Sequence, residues 1–533
     1  MPTQYIPFRD TNYFSPLICD YLDEKEQLKP FYNRFPKLEN FEAQIAEKQA
    51  QFSDHNRKVL VKSLMAQYEG LQISSLTLTN LDLLKEQTTF TVTTGHQLNL
   101  FTGPLYFFYK IVSTINLCKK LKSKYPEYNF VPIYWMATED HDFDEINFFN
   151  YDGKKVQWNR EASGAVGELS LEGLDAVFEA FGKELNITDN AVELKQLFKN
   201  AYLEHQNLTT AMRYLVNALF KIYGLVIVDG NAAELKQLFE PLMKQELTQN
   251  TTVEQVEQAS TSLNNLEHHY KIQVNPREIN LFYLSKGLRE RIVKVEGSYR
   301  VLETNITWTE PEILTELHEH PERFSPNVLM RPLYEEVILP NLCYIGGGGE
   351  LAYWLQLKSS FEAQNVVFPM LLLRNSVLLV NEKQLQKLDK LEVSIQDLFL
   401  KPSDLRTKLT KQVSEIAIDF SKQMEHLKQQ FAELYQIAAQ TDKSFKGAVA
   451  AQETKQIKGL ENLESRLLKA QKRKLDDYLK RVTELQEQLF PNQSLQERQM
   501  NFSEFYLDYG KTFFSMLTND LDPLDQRFTI ITS

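Results

Sequence analysis

Apolar positions along this chain change their period twice. From Thr88 to Thr93 the run TTFTVT is β-branched and apolar and stops at Gly95, and a three-and-four pattern follows Pro104. That order predicts strand, turn and helix, with Pro104 at the first helical position and Lys119, Lys120 and Lys122 where a helix dipole favours cations. The next run, VPIYWMA (Val131–Ala137), is short and uniformly apolar, as in a strand buried on both faces. The same alternation returns in a helix Ala211–Ile222, the strand LVIVD (Leu225–Asp229) and a helix from near Ala232. It returns again in a run ending Cys343-Tyr344-Ile345, four glycines, a helix Glu350–Ala363 and VVFPMLLL (Val366–Leu373). Alternating strands and helices predict an α/β core over residues 1–380, with a mostly parallel sheet covered by helices on both faces. Two stretches interrupt it as insertions: residues near 145–205 are acidic and irregular, and 270–305 alternate as a hairpin turning at Glu296-Gly297.

After Val380 the period becomes helical throughout. Leu409, Val413, Ile416, Phe420, Met424, Leu427, Phe431, Leu434 and Ala438 form one stripe, and Leu460 to Leu489 form another with a one-residue slip. Residues 381–500 therefore read as a long antiparallel α-helical coiled coil, with Gln440–Gln452, containing Gly447, as its tip. The stripe is wider than a helix needs against its hairpin partner, which predicts a homodimer through this domain. Residues 501–533 read as a segment returning to the core and ending in the strand-like Arg527–Thr532.

The whole-chain numbers narrow the function. At 533 residues with 43% hydrophobic and 24% charged, the chain can bury a large core plus a second module. A net charge of -12 repels polyphosphate, so nucleic acid is not expected as a partner. The start Met1-Pro2-Thr3-Gln4-Tyr5 has no basic-then-apolar leader and no run reaches ~18 apolar residues, which predicts a cytoplasmic protein without a membrane partner. Cys19, Cys118 and Cys343 are too far apart in sequence for a CxxC pair, so neither a disulfide framework nor a cysteine zinc site is expected.

Three strand ends carry candidate chemistry. In TTGHQLNLFTGPLY (Thr93–Tyr106), Gly95 and Gly103 would let backbone approach a ligand, and His96 and Gln97 could donate to a phosphate or a developing oxyanion. In ATEDHDFDEIN (Ala137–Asn147), Glu139, Asp140, His141, Asp142, Asp144 and Glu145 crowd one loop that could bind an amine, deprotonate it or hold a divalent ion through oxygen ligands. Without calcium-loop spacing, a metal is the weaker reading and no metal ligand is assigned. In YIGGGGELAYW (Tyr344–Trp354), the amides of Gly347 and Gly348 could face phosphate, but GxxxxGK[ST] is absent. Arg331, Lys110 and Arg374-Asn375-Ser376 supply cations in the core segments.

Taken in order, GHQLNLFTGPLYFFYKI, VPIYWMATEDHDFDEIN, SPNVLMRPL, LPNLCYIGGGGELAYW, LLLRNS and LFPNQSLQERQMN resemble the bacillithiol biosynthesis cysteine-adding enzymes over nearly the whole chain. The resemblance implies a Rossmann-type core related to class I nucleotidyltransferases and aminoacyl-tRNA synthetases, connecting-peptide insertions, and a coiled coil involved in dimerisation. It also implies a ligase that joins L-cysteine to the amino group of glucosaminyl-malate, the last step of bacillithiol formation, through an activated cysteine carboxylate. On that basis Gly95-His96-Gln97 stands in the place of the synthetases' first signature. No lysine-rich second signature is present, and only Arg374-Asn375-Ser376 lies near its expected place. ATP or another nucleotide is the implied co-substrate. The candidate catalytic residues are His96, Asp140, His141 and Asp142. The candidate binding residues are Gly95, Gln97, Asn99, Thr102, Gly103, Glu139, Arg331, Gly347, Gly348, Glu350, Arg374 and Ser376. Two rival readings are a metal-dependent hydrolase using the Glu139–Asp142 loop and a non-catalytic coiled-coil scaffold.

Overall fold

A computed structural model describes residues 3–532. The chain divides into two compact units: one runs through Leu378 and resumes with Gln496–Ile531, and the other comprises Leu379–Leu495.

The first unit is built on a five-stranded sheet. Its spatial order is Met370–Leu373, Asn341–Gly346, Thr89–His96, Asn129–Met136, Val226–Asp229, and every neighbouring pair is parallel. These strands carry no exposed position, as the uniform apolar runs require of a sheet covered on both faces. The helix Tyr106–Lys124 places Leu117, Cys118 and Leu121 against Phe90, Val92, Ile345 and Leu372 of the sheet in one buried cluster. From Thr89–His96 the chain steps outward through two strands, then returns to the other side for Asn341–Gly346. The direction of winding therefore reverses beside Thr89–His96, and in open parallel sheets ligands bind at the carboxyl ends of the strands at such a switch point.

Both insertions are more regular than the sequence suggests. The acidic stretch forms the helices Leu174–Glu184 and Asp189–Tyr202, whose Phe181 and Phe198 stack around Phe101 with Phe149 and Phe502. The second insertion is an antiparallel sheet in the order Thr307–Trp308, Ser298–Val301, Leu288–Val295, Leu281–Ser285, Phe324–Pro326, and its turn at Glu296-Gly297 is where the alternation placed it. The helix expected over 350–363 breaks into Gly348–Trp354 and Lys358–Ala363. The closing strand Arg527–Thr532 pairs antiparallel with Thr3–Pro7.

The second unit is helical. Ser421–Ala438 and Lys443–Lys474 form the long hairpin, with Phe431, Ala438 and Val449 buried between them. The stripe from Leu409 to Ala438 is not one helix, because Pro402–Val413 ends before Ser414–Phe420, where Asp419 accepts from the Ser421 backbone N–H and hydroxyl. The tip is also tighter than expected. Asp442 accepts the Phe445 N–H at 2.9 Å and caps the next helix, so the turn is 439–442 and Gly447 lies inside a helix. Among the described residues, no helix is long and apolar enough to cross a membrane.

Candidate active site

A cavity of about 460 Å³ opens at the switch point of the sheet, within the size range of small-molecule sites. Its wall begins with Gly95, His96 and Gln97, where Thr89–His96 runs out. His96 packs against the rings of Tyr106 and Phe107 at 5.4 and 5.2 Å, and its Nε2 is buried without a protein partner. Burial, with the Lys110 ammonium adding to it, pushes its pKa down to about 3, so the ring is neutral at physiological pH. Lys110 donates to the Gly95 carbonyl at 2.7 Å and pairs with Glu350 at 2.6 Å.

Glu350 is anchored three ways. It accepts the Tyr344 hydroxyl at 2.7 Å and the Gly347 N–H at 2.8 Å, besides Lys110. Burial works against its charge, yet Lys110, Gly347 and Tyr344 together outweigh it and bring the carboxyl down to about 2. The amide expected to meet phosphate at Gly347 is therefore already capped by a carboxylate, and Gly348 does not line the cavity. This turn is not the phosphate cradle its glycines suggest.

The guanidinium groups lie elsewhere on the wall. Arg331 sits over the rings of Trp135 and Tyr344 and donates to the fully buried Glu335 at 2.7 Å. Arg374 and Arg498 lie over one ring, Tyr106, at 4.8 and 5.9 Å. Arg374 is held from behind by Glu497 at 2.7 Å and by Ser376 at 3.0 Å, while its Nε remains buried and unpartnered. Ser376 thus serves Arg374 rather than lining the cavity.

The acidic loop supplies the opposite charge. Glu139 is paired with Lys236, which is completely buried and also donates to the Phe324 carbonyl. Asp140 accepts the His141 N–H at 2.8 Å and the Gln97 amide at 2.8 Å. Burial opposes its charge, but the His141 side chain, whose Nδ1 lies 3.7 Å from Asp140 Oδ1, and the Gln97 amide outweigh it together with the nearby Arg289 and lower it to about 2. His141 and Asp142 stand outside the cavity wall, and Arg289 Nη1 donates to His141 Nδ1 at 2.5 Å. Ligand atoms of Asp140, His141 and Asp142 lie within 4.8 Å of one another, as a cation site would require. The Arg289 guanidinium already stands at His141 and opposes a metal ion there.

Asn99, Thr102 and Gly103, expected to bind ligand, instead build the turn beneath the site. Phe101, Thr102 and Gly103 all have φ between 48° and 68°, and a Cβ on Gly103 would lie 2.6 Å from that of Asn99. Asn501 ties this turn by donating to the Phe101 and Gly103 carbonyls at 2.9 and 2.6 Å. Cys118 and Cys343 are buried with thiols pushed well up by desolvation, so neither is a ready nucleophile. Arg289 and Arg498 are among the wall residues that escape a reading of strand ends. Arg498 does fall inside the segment LFPNQSLQERQMN, a motif with no periodicity to explain it.

An open parallel sheet with a cavity of both charge signs at its switch point defines a small-molecule enzyme of Rossmann-like architecture. The chain belongs to the bacillithiol biosynthesis BshC family: residues 1–375 match its N-terminal Rossmann-like domain and 377–533 its C-terminal coiled-coil domain. Relatives named "Putative cysteine ligase BshC" include one from Flavobacterium johnsoniae, 58% identical over the full length of both chains. Another, from Christiangramia forsetii, is 58% identical over 100% of this chain and 99% of its own. A third, from Cytophaga hutchinsonii, is 38% identical over 97% and 96%.

Proposed function

We propose that this chain is a ligase that joins the carboxyl group of L-cysteine to the amino group of glucosaminyl-malate, completing bacillithiol. The observation that carries the reading is a single cavity lined both by the carboxylates Glu139 and Asp140 and by the guanidinium pair Arg374 and Arg498. Glucosaminyl-malate carries both an ammonium group and carboxylates, so it needs both kinds of wall. Asp140 binds the amine, and Arg374 and Arg498 take the anionic part. His96, neutral and with Nε2 free, donates to the oxygen that gains charge when the amine attacks the acyl carbon. A cysteine carboxylate does not acylate an amine in water unless activated, so a nucleotide or another carrier supplies the leaving group. The Glu350-capped turn does not suit an anionic leaving group.

A hydrogen bond to a charged group contributes about 1.5–3 kcal/mol, so Asp140→Asn raises KM for the amine roughly 10- to 100-fold. With Asp140 ionised down to about pH 2, the defect persists across the working pH range. Steady-state kinetics with glucosaminyl-malate as the varied substrate measure it, and unchanged amine KM with weakened acyl-donor binding would move this loop to the other substrate. Failure of purified protein, supplied with an activated cysteine donor, to form the amide would refute the reading as a whole.

We also propose a homodimer through the coiled coil, supported by the exposed Leu434, Ile437, Phe445 and Leu463 on the two hairpin helices. Sedimentation at micromolar concentration is expected to give twice the 62.2 kDa chain mass. A monomer there refutes it.

A further inference from the structure

The two insertions meet over the acidic loop. Val166 donates its N–H to the Asp140 carbonyl at 2.7 Å and Gly167 to the Thr138 carbonyl at 2.9 Å, so the first insertion grips the loop by its backbone. A Cβ on Gly167 would lie 2.9 Å from the Thr138 carbonyl oxygen, which is why the approach needs glycine. Three residues earlier, Gly164 at φ +75° lies against the turn joining Leu281–Ser285 to Leu288–Val295 in the second insertion, where its Cβ would come within 2.7 Å of the Gly287 carbonyl carbon. That hairpin carries Arg289 to the cavity.

Arg289 stacks on Phe282 at 4.1 Å, and its Nε reaches Ser325 Oγ at 3.4 Å while Nη1 donates to His141 Nδ1. A guanidinium only donates, so Nδ1 presents its lone pair and the proton of a neutral His141 sits on Nε2, 3.8 Å from Asp142. His141 so held has no free lone pair with which to accept a proton. The charged groups around the loop are then Glu139, Asp140 and Asp142 on it, Glu145 reached through Gln97, Lys236 behind Glu139, and Arg289 from the hairpin.

This arrangement answers a conflict built into the proposed reaction, on which the following inference rests. Carboxylates that bind an ammonium group also favour its charged form, yet only the neutral amine attacks a carbonyl. We propose that Arg289 is a positioning residue that offsets the negative charge of the acidic loop, so that the loop binds the substrate amine without locking it as ammonium. The Gly164–Gly287 backbone contact holds Arg289 in that place.

The charge argument predicts an unusual split of kinetic constants. In Arg289→Met, KM for glucosaminyl-malate stays level or falls, while kcat at neutral pH drops about 10-fold, equal to one unit in the bound amine's pKa. The loss is recovered when the pH is raised by about one unit. Arg289→Lys keeps the cation and most of kcat. Arg289→Gln, which keeps a donor for His141 but not the charge, loses kcat as the methionine variant does, and it replaces that variant should the latter not fold. Gly164→Ala, which must push the hairpin away, shifts kcat in the same direction. In histidine-labelled protein, long-range ¹H–¹⁵N correlation, assigned by His141→Gln, gives the Nε2–H tautomer for wild type and a mixture for Arg289→Met. Wild-type kinetics in Arg289→Gln, or a rise in KM with a fall in kcat that high pH does not recover, overturns the proposal. If the wild-type chain forms no amide, the proposed function fails separately, and an Nδ1–H tautomer of His141 in that protein would by itself refute the placement of Arg289.

Discussion

Replacing His96 with alanine is expected to leave the chain folded and to lower the rate of amide formation ~10²- to 10³-fold, the usual loss for one well-placed donor to a developing oxyanion. The argument rests on three features of the ring. It lines the cavity, its Nε2 is buried without a partner, and it is neutral down to about pH 3. A neutral donor does not titrate in the working range, so the loss is uniform from pH 6 to pH 9. A His96 acting as general base would instead give a pH-dependent loss. Stability supplies an independent check through the sign of the shift. The folded-state pKa lies below the ordinary 6.5, so as pH falls through 6.5 the unfolded chain takes up a proton that the folded chain refuses. Wild type therefore loses stability between about pH 6.5 and pH 3 on account of this ring, and His96→Ala does not. The stability of the variant relative to wild type is expected to improve on going from pH 7 to pH 5, as read by urea titration. A variant whose relative stability worsens on acidification would mean that His96 is charged in the folded state.

The framework of this site is legible in the sequence because it lies where uniform apolar strands end. Burial on both faces makes a strand conspicuous, and the residue after it is pinned at the carboxyl edge of the sheet, so His96, Asp140 and Glu350 are found by counting. Their partners are not. Lys236 is a helical lysine among many, and nothing in its neighbourhood says that it is fully buried against Glu139. Arg289 stands in an alternating hairpin where arginine ordinarily faces water. Its role comes from the Gly164–Gly287 contact between two insertions more than 100 residues apart, which no local pattern encodes. The glycines after Ile345 mislead for the opposite reason. Their composition suits a phosphate loop, but Glu350 reaches back to cap Gly347 and fills the position with negative charge. The coiled-coil stripe is read well in period and poorly in boundary, because Asp419 and Asp442 mark where the two hairpin helices begin by side-chain bonds that a hydrophobic count ignores.

Removing Glu497 is expected to be as damaging as removing His96, by a different route. Glu497 is completely buried and accepts from Arg374 at 2.7 Å, from Ser376 at 3.2 Å and from the Val377 N–H at 3.1 Å. Arg374 is itself 3% exposed, so Glu497→Ala strands a guanidinium away from water. Breaking a buried pair from one side costs about 3–5 kcal/mol, because the remaining charge is uncompensated. All four tryptophans, Trp135, Trp158, Trp308 and Trp354, lie in the first unit, so denaturation followed by their fluorescence reports on the unit that holds this pair. Under the proposed function the same pair would also aim Arg374 at the substrate's anionic part, and the two roles can be separated. Replacing both partners with apolar residues, Arg374→Met with Glu497→Leu, removes the stranded charge, and the stability loss should shrink well below that of Glu497→Ala. Activity should not recover, since the cation facing the cavity is gone. If the double variant regains activity along with stability, Arg374 is a structural partner of Glu497 only, and anion binding in this cavity rests on Arg498 and Arg331.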